Sequence, residues 1–139
     1  MLYQPRKAEG TPTVLCLFAV PLSTLPVIFV VHLLMVVSGT LTWEDLGPVT
    51  FDAATLSLLA TLLMLVLFGL PAHMLLRAYA IRQPGAYLGV GLMLSLLMVV
   101  LVEAGLPEYQ LLTDGWALLM VLGSGQAAAW VVWLLLGRR

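Results

Sequence analysis

Four long apolar runs, separated by short polar stretches, set the pattern of this chain. The runs cover residues 13–37, 53–76, 86–102 and 116–136, and none contains an Asp, Glu, Lys or Arg. At 1.5 Å of rise per residue the first run reaches about 37 Å, against a hydrocarbon core of about 30 Å. The third run is the shortest, at about 17 residues, and crosses only if it stands upright or uses its flanks. Backbone groups in hydrocarbon find no water, so a single spanning segment satisfies them by forming a helix. Each run therefore predicts one transmembrane helix. Short connections make successive helices neighbours. The expected fold is all-α: an integral membrane four-helix antiparallel bundle in up-down-up-down order, one domain over residues 1–139.

Breakers and caps refine the elements. Pro21 and Pro26 each remove an N–H from the helix ladder, so the first helix is expected to bend between them. Residues 38–52, with Gly39, Gly47 and Pro48, read as a polar connection. Within it, Thr42-Trp43-Glu44-Asp45 starts a short interfacial turn with Thr42 as cap, and Asp52 caps the second helix. Pro71 lies near the far end of that helix. Gln83-Pro84-Gly85 is a turn signal, and Thr113 or Asp114 caps the fourth helix. The first run exceeds the roughly 7–15 residues of a signal-peptide core and is followed by no Ala-x-Ala, so it is expected to be retained.

Composition agrees with lipid as the solvent. Hydrophobic residues make up 62% of the 139 and charged residues 9%, where a soluble domain carries roughly 25% charged residues. Mean hydropathy is +1.08. The placement of the few charges predicts orientation. Arg6 and Lys7 precede the first run, Arg77 and Arg82 flank the middle turn, and Arg138 and Arg139 end the chain. With the four crossings assigned, all six fall on one side. Glu44, Asp45, Asp52, Glu103, Glu108 and Asp114 fall on the other. Short basic loops stay in the cytoplasm. Both termini are therefore expected there (N-in, C-in), and small size with simple loops suits a bacterial inner membrane.

Candidate chemistry is sparse. No ionisable carboxylate or amine lies inside a run, as a proton- or ion-coupled transporter would need. His32 and His73 are the candidate haem or metal ligands. They lie about 10 Å and 13 Å from their helix midpoints in opposite directions, so they do not serve one iron. The bland alternative has His32 hydrogen-bonding a neighbouring helix and His73 near the inner interface. Cys16, alone, forms no internal disulfide or thiolate cage and reads as a small hydrophobe. No metal or other cofactor is expected. Small residues mark packing or partner faces: Gly85 and Gly89 form a GxxxG, Gly91 and Ser95 continue at spacing four, and Gly123, Ser124, Gly125, Gln126 and Ala127 follow in the fourth helix. Serines are present without a Gly-x-Ser-x-Gly elbow, and no His-Glu-x-x-His or phosphate loop appears, so catalysis is not expected. No basic patch exceeds two residues, which leaves nucleic acid out. The expected partners are the bilayer and another membrane protein or further copies of the chain. The leading expectation is a non-enzymatic accessory, regulatory or immunity-type protein acting by helix packing. A small oligomeric transporter or pore lined by Ser95, Ser124 and Gln126 is the second reading. A haem-binding subunit is the third.

Overall fold

The computed structural model describes residues 10–106 and 112–138, and these contain helices and turns but no strand. Six α-helices run α1 Gly10–Leu22, α2 Thr24–Val37, α3 Trp43–Met64, α4 Leu70–Ala78, α5 Pro84–Gly105 and α6 Gly115–Val132. π-Helical segments Leu65–Gly69 and Trp133–Gly137 join α3 to α4 and extend α6. Together they make four spans long and apolar enough to cross a bilayer: Thr13–Val37, Trp43–Ala78, Pro84–Gly105 and Gly115–Gly137. Arg6, Lys7, Glu9, Glu108 and Arg139 lie outside the described residues.

The first span breaks at Ser23, between the two prolines. Pro21 and Pro26 cannot donate to the carbonyls of Leu17 and Leu22, so the ladder loses two bonds within one and a half turns. Hydroxyls take up the slack. Ser23 Oγ donates to Val20 O at 2.6 Å, and Thr24 Oγ1 donates to Pro21 O at 2.7 Å. Ser57 Oγ on α3 donates to Thr24 Oγ1 at 3.2 Å, which ties the break to the next span.

The second span corrects the expected boundary. Residues 43–52 are not a polar connection; the helix starts at Trp43 and runs through Asp52, which caps nothing and is exposed. Thr42 is the cap. Its hydroxyl accepts from Asp45 N at 3.3 Å and donates to Asp45 Oδ2 at 2.6 Å. Glu44 and Asp45 in the first turn favour the positive helix end. The span then holds 36 residues, about 54 Å at helical rise. Fitting that length into about 30 Å would need a tilt beyond the observed 0–40°. In a bilayer of that thickness its surplus turns would stand outside the hydrocarbon. Further along, Leu70 N–H reaches back five residues to Leu65 O, the widened π turn that makes room for the ring of Pro71. The span ends in a Schellman motif: Ile81 N bonds Leu76 O at 2.8 Å and Ala80 N bonds Arg77 O at 3.0 Å. Ala80 sits at φ 57°, where glycine is usual.

The third span is longer than expected, 22 residues, and is long enough to cross a bilayer without help from its flanks. Asp114 caps α6, accepting from Trp116 N at 3.0 Å and Ala117 N at 3.3 Å. In cross-section the first span lies between the second and the fourth, and the fourth packs along α5. The second and third spans meet chiefly where the π segment Leu65–Gly69 and α4 approach α5. Cys16, Val20, Leu65, Tyr87 and Val132 form the densest core at that end. Outward faces are apolar: Phe18 is 68% exposed, Phe51 72% and Met93 72%. Large hydrophobics exposed all round a helical bundle need a solvent as apolar as themselves.

Candidate functional site

Because α3 leans on α1 and α2 while α5 leans on α6, a gap remains between α3 and α5. It is a cleft of about 480 Å³. One wall is α3, through Ala53, Leu56, Ser57, Ala60, Thr61 and Met64; the other is α5, through Val90, Leu94, Met98 and Val102. Val20, Ile28 and the α6 residues Val121, Ser124 and Ala128 form its floor. No Asp, Glu, Lys or Arg lines it. It runs along α5 from Tyr87 to Leu106, about 28 Å at helical rise.

His73 and Tyr87 close one end. His73 Nδ1 and Tyr87 Oη are 2.8 Å apart and share a hydrogen bond, with ring centroids 5.9 Å apart. This bond joins the second span to the third and satisfies both polar groups, which are otherwise surrounded by apolar side chains. Arg77 follows His73 by one helical turn, so the two share a face. Tyr87 escaped the sequence reading, although a signal for it existed. It lies in the first turn of its helix, His73 lies near the end of the preceding one, and a short turn between them brings the two level.

His32 is 1% exposed. Its Nδ1 bonds Ile28 O at 2.8 Å, so it turns to its own helix and not to a neighbouring one, contrary to expectation. His32 and His73 do not meet. Among the described residues no three His, Cys, Asp or Glu side chains gather as a metal site.

The small residues divide. Gly91 and Gly125 are where α5 and α6 come closest: a Cβ on Gly91 would lie 2.5 Å from Ala129 Cβ and 3.0 Å from Gly125 O. A Cβ on Gly125 would overlap Ser95 Oγ and lie 3.1 Å from Ser95 Cβ. Ser95 Oγ donates to Gly91 O at 2.8 Å, and Gln126 Nε2 donates to Leu88 O at 3.3 Å. Gly123 abuts Val27 on α2, whose Cγ1 would stand 2.9 Å from an added Cβ. Ser124 is buried and Ala127 half-buried. Gly85 and Gly89, the GxxxG itself, have open space where a Cβ would go and take no part in this packing. Their spacing is that of a contact face, but the face points away from α6.

Arg77, Arg82 and Arg138 are exposed, and the latter two meet at Trp133. Its Nε1 donates to Arg82 O at 2.9 Å, and the Arg138 guanidinium carbon lies 5.7 Å from its ring centroid. At the opposite end of α5, Glu103 Oε1 accepts from Leu112 N at 2.6 Å. No protein-family model, curated protein or solved structure matches this chain, so the architecture and the cleft carry the functional argument.

Proposed function

We infer that this chain is a non-catalytic accessory or regulatory protein, of the kind that confers immunity or controls a larger partner, and that the cleft receives one transmembrane helix of that partner. The cleft carries this reading. Its length of about 28 Å matches the hydrocarbon thickness, whereas a lipid tail belongs to one leaflet and reaches about half as far. Its lining is uncharged and rich in small side chains such as Ser57, Ala60, Gly91 and Ser124, which let helix backbones approach closely in lipid. Met64, Met98 and Met120 add adaptable contacts.

The pore reading is weaker because two of its polar groups are engaged: Ser95 bonds the Gly91 carbonyl of its own helix, and Gln126 bonds the Leu88 carbonyl across to α5. The haem reading is weaker because His32 and His73 bond different partners and do not meet, so they do not hold one iron between them. The same reading takes the spans in antiparallel order through a bacterial inner membrane, with both termini cytoplasmic. Gathering of Arg82 and Arg138 at one end supports that orientation.

A photo-reactive phenylalanine at Leu94, inside the cleft, tests the reading in native membranes against the same probe at exposed Met93. The expected result is one heterologous membrane-protein adduct from position 94 and none from 93. Adducts only with lipid, or only with a second copy of this chain, refute the partner helix.

A further inference from the structure

Three cations from three separate stretches of chain gather at the closed end of the cleft. Arg77 belongs to the last turn of α4, Arg82 to the connection before α5, and Arg138 follows the π segment Trp133–Gly137. Trp133 binds the Arg82 backbone and carries the Arg138 guanidinium over its ring. Gly137 presses on Tyr87, where an added Cβ would stand 3.0 Å from Cζ, and Tyr87 bonds His73, one turn before Arg77. The network thus brings all three guanidinium-bearing segments to one locality. Among the described residues none of the three arginines has a carboxylate partner. Orienting insertion requires only that cations lie on one side of the membrane. It does not require the Arg138 guanidinium to lie over the indole that binds the Arg82 carbonyl.

Below Arg138, at helical spacing on the same stripe, lie Leu134 and Trp130, both lipid-exposed. Trp130 packs against Trp133 with ring centroids 5.0 Å apart and the planes tilted by 42°, which widens the apolar track. A cation cluster above an aromatic-walled apolar track has the shape of a phospholipid: phosphate at the top, acyl chain beneath. Guanidinium groups hold phosphate through paired N–H donors, and basic pockets between membrane helices select anionic headgroups.

We propose that Arg77, Arg82 and Arg138 form a binding site for the phosphate of an anionic phospholipid, whose acyl chain lies along Leu134 and Trp130. The site rests on the bilayer embedding and holds whatever occupies the cleft. All three side chains are exposed, and Arg82 contributes its structural bond through the carbonyl, so Gln at 77 and 82 keeps the packing and Gln at 138 gives up only the contact with the Trp133 ring.

The full chain, delipidated in mild detergent, is titrated with dioleoyl phosphatidylglycerol or with dioleoyl phosphatidylcholine, and retained lipid is counted by native mass spectrometry. The expected result is a preference for the anionic lipid of about tenfold or more at low salt, shrinking as salt rises. The preference should vanish in the Arg77→Gln/Arg82→Gln/Arg138→Gln variant while cross-linking from Leu94 persists, which separates this site from the cleft. Each single substitution should weaken the preference, a readout that survives even if the triple variant misfolds. Equal retention of the two lipids, or an undiminished preference in the single and triple variants, overturns the proposal. So does displacement of the lipid by soluble glycerol phosphate, which would make the ligand a free phosphate ester.

Discussion

Gly91→Ala and Gly89→Ala are the same substitution two residues apart on α5, and they are expected to differ in sign. At Gly89 the new methyl meets open space. The change then gains helix propensity, up to about 1 kcal/mol. At Gly91 the methyl would stand 2.5 Å from Ala129 Cβ and 3.0 Å from Gly125 O. Carbon atoms rest about 3.5–4.0 Å apart, so the shortfall is about 1 Å or more. Both neighbours are fixed to α6 and no rotamer relieves them. The helices must part, which lengthens the 3.3 Å bond from Gln126 to Leu88 O and loosens Ser95 against Gly125. Overpacking of this kind costs about 1–3 kcal/mol. The propensity gain is common to both variants, so their difference isolates the steric cost, again about 1–3 kcal/mol. Reversible unfolding in mixed micelles with rising dodecyl sulfate, followed by circular dichroism, measures it. Ala129→Gly removes the 2.5 Å contact, so in its background, measured against Ala129→Gly alone, Gly91→Ala should lose most of its steric cost. If Gly91→Ala and Gly89→Ala agree within about 0.5 kcal/mol, the ordinary scatter of independent sites, then α5 and α6 do not meet at Gly91.

Three further outcomes are checked by the same unfolding assay. Tyr87→Phe leaves His73 Nδ1 without its partner at the closed end of the cleft and should cost about 1–3 kcal/mol, a loss that His73→Leu added to it partly restores; an unchanged midpoint refutes the bond. Thr24→Val keeps the volume but removes the donor to Pro21 O and the acceptor of Ser57, so it should cost about 1 kcal/mol or more; a neutral result means the break at Ser23 needs no hydroxyl. Ala80→Gly relieves a left-handed alanine, worth roughly 1–2 kcal/mol, against glycine's extra unfolded freedom of roughly 0.5–1 kcal/mol; a net gain of about 0.5–1 kcal/mol is expected, and a net loss contradicts the Schellman geometry at that position.

Hydropathy located all four spans because lipid imposes one rule on every residue it touches. It misplaced the start of α3 for the same reason. Glu44, Asp45 and Asp52 mark where apolar solvent ends, but a helix capped by Thr42 continues past that point. The break at Ser23 was legible because each proline deletes a known N–H. The π turn before Pro71 was not, since a ring clash is relieved by bending or by widening and local sequence does not choose between them. Small-residue spacing identified α5 and α6 as close-packing helices. It does not say which face of α5 turns inward, so spacing alone joins Gly85 and Gly89 to Gly91 although they point elsewhere. The cleft had no signal along the chain. It arises from α3 and α5 leaning on different neighbours, a property of three-dimensional arrangement that no single element carries.

The unequal reach of the two cleft walls has a mechanical consequence. α5 spans 22 residues and the second span 36, about 33 Å against about 54 Å. In a thicker bilayer α5 would have no reserve of length and would stand more upright, whereas α3 would draw further turns from its surplus. The angle between them then changes while their shared anchor at His73 and Tyr87 stays put. Hydrophobic mismatch would thereby bear on the width of the lateral opening, and acyl-chain length would set how far it stands ajar.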